Sequence, residues 1–161
     1  MHWTLWVILI VLAFVVMEGI TWATHKYVMH GLLWYLHEDH HQPKGNVFEK
    51  NDAFFLIFAI PSWLSIHGGW IIGAWWLVAL GFGVAAYGFA YFMVHDVIIH
   101  QRFKWFSRSN NSYIRALRWS HKMHHKHLNK EEGESFGLLL VGKQYWEKVK
   151  RDKAIRQTTV S

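Results

Sequence analysis

The chain has 161 residues and a net charge of +6; 52% of the residues are hydrophobic and 17% charged, against ~25% charged in ordinary soluble domains. This composition excludes a disordered chain and argues strongly against a water-soluble fold. The chain contains no cysteine, which excludes disulfides, cysteine-bound metal clusters and haem–thiolate chemistry, but it contains 13 histidines and 11 tryptophans.

The first predicted element is a membrane helix at about residues 3–24, because residues 3–17 carry no charged side chain. A secretory signal peptide is the competing interpretation, but it lacks a basic leading segment and a clear small-residue cleavage site. Glu18 lies near the inner end of this span, where a buried carboxylate is costly. Glu18 could support metal-binding residues, or its side chain could extend to the membrane interface, and the two interpretations are equally favoured.

Residues 53–94 form a 42-residue stretch without Asp, Glu, Lys or Arg. A single helix of that length would span ~63 Å, twice the ~30 Å hydrocarbon core, so the stretch must contain a turn. We predict the break at residues 65–69, which gives membrane helices at about 53–66 and 70–94. A turn near Gly73 is the alternative, and it would balance the two lengths.

Three crossings put residues 25–52 and 95–161 on the same side of the membrane. Fourteen of the 17 Lys and Arg residues follow residue 101, and by the positive-inside rule that side is the cytoplasm. This rule accounts for the basic half better than nucleic-acid binding does. The predicted fold class is an all-α integral membrane protein, a single domain of residues 1–161 with three to four membrane helices and a cytoplasmic helical cap.

Ten of the 13 histidines form four clusters, each next to a predicted membrane end or in the cytoplasmic cap. Two pairs have H-x4-H spacing and two triplets have H-x2-H-H spacing: His25 and His30; His37, His40 and His41; His95 and His100; His121, His124 and His125. On a helix each triplet can direct three imidazoles at one point. The members of a pair lie ~140° apart on an α-helix, so they reach a common site only where the helix ends or is distorted, or if they serve two metals.

These clusters predict a site for two metal ions with about five imidazole ligands each, and imidazole suits iron, zinc, copper and nickel. His2, His67 and His127 lie outside the repeated spacing and are predicted to be non-ligands. Asp39 and Asp96 adjoin predicted ligands and could support them, although solvated interface acids are the favoured interpretation. Cations around the last triplet favour an anionic lipid surface, with an acidic electron-transfer protein as the sharper alternative.

The order of these four clusters on a short membrane protein resembles the fatty-acid-hydroxylase superfamily of di-iron membrane oxygenases. Within it the chain is similar to bacterial-type β-carotene 3-hydroxylases. That similarity rests on the His25–Gly31 segment followed by Trp34–His37, on Ser135–Gly137 after the last cluster, and on the small size of the chain. It covers essentially the whole sequence.

The resemblance implies that the ten clustered histidines bind two iron ions, which zinc can replace in a purified sample, and that this centre activates O2. It implies hydroxylation of β-carotene at carbon 3 of each β-ionone ring, through β-cryptoxanthin to zeaxanthin. No catalytic side chain beyond the metal ligands is expected. The expected partners are the carotenoid, membrane lipid and ferredoxin or a reductase, without nucleic acid. The expected location is the bacterial inner membrane, with the metal site facing the cytoplasm.

Two alternatives stay open. One is a related fatty acyl or sterol hydroxylase or desaturase, or a carotenoid ketolase, because the same metal site supports all of these reactions. The other is a histidine-rich metal transporter, although a transporter is expected to place its ligands near the membrane midplane rather than at the membrane ends.

Overall fold

The computed structural model describes residues 2–42 and 48–159, and within those ranges the chain forms helices and loops without a strand. The predicted segment 25–52 includes residues 43–47, which lie outside the described residues. The α-helices of the described ranges are α1 (Trp3–Ala23), α2 (Trp34–His41), α3 (Ala53–Ile71), α4 (Trp75–Tyr91), α5 (Ser112–His124) and α6 (Lys143–Thr159). Two π-helical segments, Thr24–Leu32 and Phe92–Ile99, continue α1 and α4, and short 3-10 turns lie at Lys50–Asp52 and Lys104–Phe106.

Three helical stretches within the described residues are long and apolar enough to cross a membrane: Trp3–Leu32, Lys50–Ile71 and Trp75–Ile99. At 1.5 Å per residue, the shortest of them, with 22 residues, spans ~33 Å, which matches a ~30 Å hydrocarbon core. Large apolar side chains such as Val11, Phe55 and Phe89 are exposed on these helices, as lipid contact requires. The predicted all-α membrane fold with three membrane helices is confirmed.

The turn between the second and third spans lies at residues 72–74, so the predicted break at residues 65–69 is wrong and the alternative near Gly73 is right. Gly73 has φ +71°, a left-handed conformation that glycine adopts without strain. Gly69 lies inside α3 instead, where a Cβ would meet the Ala74 carbonyl oxygen and the Val78 nitrogen at 3.0 Å. Gly69 therefore allows close helix packing, and neither Gly68 nor Gly69 breaks the helix. The third span correspondingly runs from Trp75 to Ile99, later than predicted at both ends.

Helix α4 packs against both α1 and α3, and small residues make the close approach possible. A Cβ on Gly83 would meet the Ile10 carbonyl oxygen at 2.6 Å, and one on Gly81 would meet the Ser62 carbonyl oxygen at 2.9 Å. The Ser62 hydroxyl also donates a hydrogen bond of 2.8 Å to the Gly81 carbonyl. These contacts hold α4 close to the middle of α1 and to α3, and the π-helical segments continue from the far ends of α1 and α4.

The polar part of the chain packs over that end of the membrane helices. Asn111 caps α5, because its side-chain oxygen accepts the backbone N–H groups of Tyr113 and Ile114 at 2.8 and 3.3 Å. One face of α5 is buried against α6, which contributes the buried Tyr145 and Val149. Helix α5 is thereby held in place with His121 and His124 on its buried side.

Candidate metal centre

Both H-x4-H pairs lie at the π-helical segments: His25 and His30 lie within the first, and His95 lies within the second, with His100 directly after it. In a π-turn the backbone hydrogen bond joins residues five apart, so side chains at i and i+5 come close to one face. The His100 N–H donates such a bond to the His95 carbonyl at 2.9 Å. The ring centroids are 4.5 Å apart for His95 and His100, and 5.3 Å apart for His25 and His30. The helix distortion that the spacing required is therefore present at both pairs.

The structure brings all ten predicted ligand histidines together as two neighbouring groups. In the first group one nitrogen of each ring lies within 4.8 Å of the others, and several Nε2 atoms are only 3.1–3.2 Å apart. The same limit of 4.8 Å holds for four members of the second group, and the Nε2 atom of the fifth, His125, lies 2.8 Å from that of His121. The first group is His25, His30, His37, His41 and His124; the second is His40, His95, His100, His121 and His125.

Each H-x2-H-H triplet is divided between the two groups, so the prediction that three imidazoles of a triplet meet at one point is wrong. Helix α2 gives His37 and His41 to the first group and His40 to the second. Positions i and i+4 on a helix lie close in angle, while i+3 lies on the other side of i by about 60°. Helix α5 makes the converse division, with His124 in the first group. The result is five histidines in each group.

Every ring of the first group is oriented by a hydrogen bond from its Nδ1 atom to an oxygen. A metal-bound imidazole normally donates its second N–H in this way, which fixes the tautomer and directs the free lone pair at the metal. This arrangement is the strongest sign that the residues fit a metal ion. The acceptors are the carbonyls of Phe136 (3.1 Å, from His25), Lys130 (3.1 Å, from His30), His127 (2.9 Å, from His41) and Glu134 (2.9 Å, from His124), and Asn51 Oδ1 (2.7 Å, from His37).

Carboxylates take this role in the second group. His40 Nδ1 lies 2.8 Å from Glu49 Oε2, and His95 Nδ1 lies 3.2 Å from Asp96 Oδ1. Arg102 links these acids, with nitrogens 3.7 Å from Glu49 and 3.6 Å from Asp96. Within the described residues the Nε2 atom of His40 is buried and has no hydrogen-bond partner, and coordination of a metal would satisfy this atom.

These contacts revise the expectations for the acids and add two residues. Asp96 contacts a histidine of the second group, so its interpretation as a solvated acid is wrong, whereas Asp39 accepts the backbone N–H of Lys50 at 2.7 Å. Sequence reasoning missed Glu49 and Asn51 as hydrogen-bond partners of His40 and His37. Their position immediately before the second apolar stretch was the available signal, since it places them at the same membrane end as the histidines.

Burial keeps the candidate ligands outside the membrane spans neutral. Desolvation, reinforced by repulsion between neighbouring imidazoles, lowers the pKa of His124 to about 2 and the pKa of His125 to about 3. The pKa of His37 falls to about 2 by burial, although its hydrogen bond to Asn51 opposes the shift. Burial also lowers the pKa of His41 to about 4, although its hydrogen bond to the His127 carbonyl opposes the shift. Near pH 7 these rings are unprotonated, the state in which imidazole coordinates a metal.

The second group opens towards the polar side through a cleft of about 260 Å³. Arg118 and Lys122 line this cleft together with His100, His121 and His125. Arg118 and Lys122 also line a neighbouring cleft of about 210 Å³, together with Arg115 and Trp119. The second histidine group is thus accessible from the basic polar surface.

Comparison with known proteins gives a consistent picture. Residues 10–148 match the fatty acid hydroxylase family. The chain is 43% identical over 136 residues to Beta-carotene hydroxylase of Pantoea ananas, and 40% identical over 138 residues to that of Pseudescherichia vulneris; each match covers 84% of this chain and 77% of the relative. It is 37% identical over 131 residues to the chloroplastic Beta-carotene hydroxylase 2 of Capsicum annuum, a match covering 78% of this chain and 41% of that protein. No solved structure matches the chain.

Proposed function

We propose the following function for this chain, which belongs to the fatty acid hydroxylase family. Its metal-dependent hydroxylase site consists of the two histidine groups, and we assign all ten of those histidines as metal ligands. The substrate is a carotenoid, and the reaction adds a hydroxyl group at carbon 3 of each β-ionone ring of β-carotene, giving β-cryptoxanthin and then zeaxanthin. The observation that carries the proposal is the pair of five-histidine groups at one end of three membrane helices.

The donor set supports two iron ions, one for each group. Ten imidazole nitrogens, in a chain without cysteine to supply thiolate, suit a redox-active first-row metal, which when bound activates O2 for attack on an unactivated C–H bond. The protein orients the imidazoles of the first group through their Nδ1 hydrogen bonds, and burial keeps His37, His41 and His124 neutral. Zinc from a purified sample would fit the same nitrogens.

A membrane-dissolved substrate suits the location of the site. His25 and His30 lie in the final turns of the first span, and His95 lies in the last turns of the third. The ring of a polyene that lies in the bilayer therefore meets the histidines without leaving the apolar phase. Fatty acyl and sterol substrates share this property, but the similarity to two bacterial β-carotene hydroxylases over 84% of the chain favours the carotenoid.

The reaction needs an external electron donor. Inserting one oxygen atom of O2 and reducing the other to water consumes two electrons and two protons. The described residues contain no strand–turn–helix unit for a nicotinamide or flavin nucleotide. We assign the electrons to a ferredoxin or a reductase that docks on the basic clefts around Arg118 and Lys122, on the cytoplasmic side of a bacterial inner membrane.

Expression in cells that make β-carotene tests the reaction. The wild type with a functional ferredoxin and reductase should give β-cryptoxanthin and zeaxanthin, and His40→Ala should give neither. His67→Ala is the matched control, because His67 is exposed and its ring contacts Trp63, one turn earlier on the same helix. Unchanged β-carotene with the wild type, or a 4-keto or fatty acyl product instead, would reject the carotenoid 3-hydroxylase assignment.

Two further measurements separate the remaining parts of the proposal. Purified protein should contain two iron ions per chain, whereas readily exchangeable zinc together with metal transport in vesicles would favour a transporter. Lys122→Glu should lower turnover with ferredoxin and weaken its salt dependence, yet leave turnover with a small chemical reductant unchanged. Equal loss with both donors would contradict docking at this surface.

A further inference from the structure

One loop supplies most of the oxygens that orient the first histidine group. The loop joins α5 to α6, and we call its residues 127–140 the strap. Four of the five Nδ1 atoms of the first group bond to backbone carbonyls of the strap, at distances of 2.9 to 3.1 Å; the carbonyls are those of His127, Lys130, Glu134 and Phe136. The orientation of these rings therefore depends on the conformation of a segment without regular secondary structure.

Glu18 of the first span holds the end of the strap. Its Oε1 atom accepts the backbone N–H groups of Leu138, Leu139 and Leu140 at 3.1, 2.8 and 3.0 Å. Its Oε2 atom accepts the hydroxyl of Tyr87 on α4 at 2.7 Å. Four donors thus satisfy a carboxylate that lies within an apolar span, where an unpartnered charge is costly. The side chain is engaged inside the protein and does not reach out to the membrane interface.

The Glu18 contacts lie two residues from a first-group acceptor. Leu138 bonds to Glu18, and Phe136 carries the carbonyl that accepts from His25. The Phe136 ring also contacts the rings of His25, His30 and His124, with centroids 5.4, 5.1 and 5.4 Å away. A shift at the anchored end therefore changes both the hydrogen bond to His25 and the packing of three candidate ligands.

The second group is oriented differently. Its Nδ1 contacts within the described residues go to Glu49 and Asp96, which lie outside the strap. Loss of the anchor should therefore affect one group and spare the other. This selectivity separates a positioning role from a general contribution to folding.

We propose that Glu18 is a positioning residue for the metal of the first histidine group: by binding three consecutive strap N–H groups, it holds the strap carbonyls where they orient the ligands. This proposal rests on the two-metal site of the proposed function and deepens it. Replacing Glu18 makes the first span more apolar, so membrane insertion should be retained. The expected defect is loss of one metal of two.

The test compares purified, iron-loaded wild type with Glu18→Ala, Glu18→Gln and Glu38→Ala. Elemental analysis gives the metal content, release to a strong chelator gives the rates, and thermal unfolding reports the fold. The wild type and Glu38→Ala, which removes an exposed acid between His37 and Asp39, should hold two irons and release them slowly. Glu18→Ala should hold one iron or release one at least about tenfold faster, and keep the second at the wild-type rate. Glu18→Gln should restore most of the loss, because its amide oxygen accepts the same N–H groups.

Glu18→Asp extends the test to a variant that keeps the charge but withdraws the carboxylate from the strap, and it should also lose one metal selectively. Two irons with wild-type release rates in Glu18→Ala or Glu18→Asp would overturn the proposal. Loss of both irons in the same proportion as loss of folded protein would overturn it too, because that outcome shows only a structural role. A wild type that binds no metal would instead refute the two-metal site itself.

Discussion

Asn51 offers the cleanest perturbation of the first histidine group, because the other Nδ1 acceptors of that group are backbone carbonyls. Its Oδ1 atom accepts from His37 Nδ1 at 2.7 Å, and both residues are buried. Asn51→Leu keeps a similar volume and leaves the His37 N–H without an acceptor. An unsatisfied buried donor costs about 1–3 kcal/mol, and loss of a hydrogen-bond partner behind a metal ligand typically lowers affinity by about 10–100-fold. We therefore expect one metal to bind about 10–100-fold more weakly, which is about 1.4–2.8 kcal/mol.

Competition against a chelator of known affinity measures this change for each metal separately. Asn51→Asp is the matched control, because its carboxylate can accept the same hydrogen bond and should keep the affinity within about threefold of the wild type, well under 1 kcal/mol. Only one of the two binding steps should change in Asn51→Leu. Unchanged affinity in Asn51→Leu, or equal weakening of both steps, would refute the reasoning that the hydrogen bond to His37 supports one specific metal.

The remaining predictions concern the second group, helix packing and acid stability. Glu49→Leu should weaken the other metal by about 10–100-fold in the same competition assay, because it removes the acceptor of His40. Gly83→Ala should lower the free energy of unfolding in detergent by about 1–3 kcal/mol, because the added Cβ would overlap α1. Gly88→Ala is the control and should not destabilise the protein, because no atom lies within 4 Å of the added Cβ. Equal unfolding midpoints for the two variants would contradict this prediction. Burial lowers the pKa of His41 to about 4 in the folded protein. As the pH falls below about 6.5, the unfolded chain therefore takes up a proton at this residue before the folded protein does, which favours unfolding. Metal-free protein should thus unfold at a lower temperature at pH 5 than at pH 7.

The sequence predicted the membrane fold and the histidines that come together, because both depend on local spacing. A charge-free stretch reports a membrane span directly, and the H-x4-H pairs required a helix distortion that π-helical turns provide. The division of each triplet between two groups was not predicted. It depends on the direction from which each helix approaches the centre, which spacing along one helix does not contain.

Tertiary contacts explain the other differences. Gly68 and Gly69 suggested a chain break, but α4 packs closely against Gly69 within a continuous helix, which only the fold reveals. The strap carbonyls were invisible for a stronger reason, since a backbone acceptor has no residue signature at all. Glu49 and Asn51 carry side-chain signatures, but their partners lie 9 and 14 residues away, across residues 43–47.

The repeated histidine pattern builds two groups of equal size that have unequal surroundings. Neutral oxygens, mostly strap carbonyls, accept hydrogen bonds from the first group, while the carboxylates of Glu49 and Asp96 contact two members of the second. Of the two basic clefts described, one is lined by histidines of the second group, and neither is lined by a histidine of the first. A carboxylate acceptor makes a ligand imidazole more electron-rich than a carbonyl does, so it favours the more highly charged state of the metal beside it. A metal bound by the second group would therefore be oxidised more easily than one bound by the first, and it would also lie closer to the cleft lined by Arg118 and Lys122.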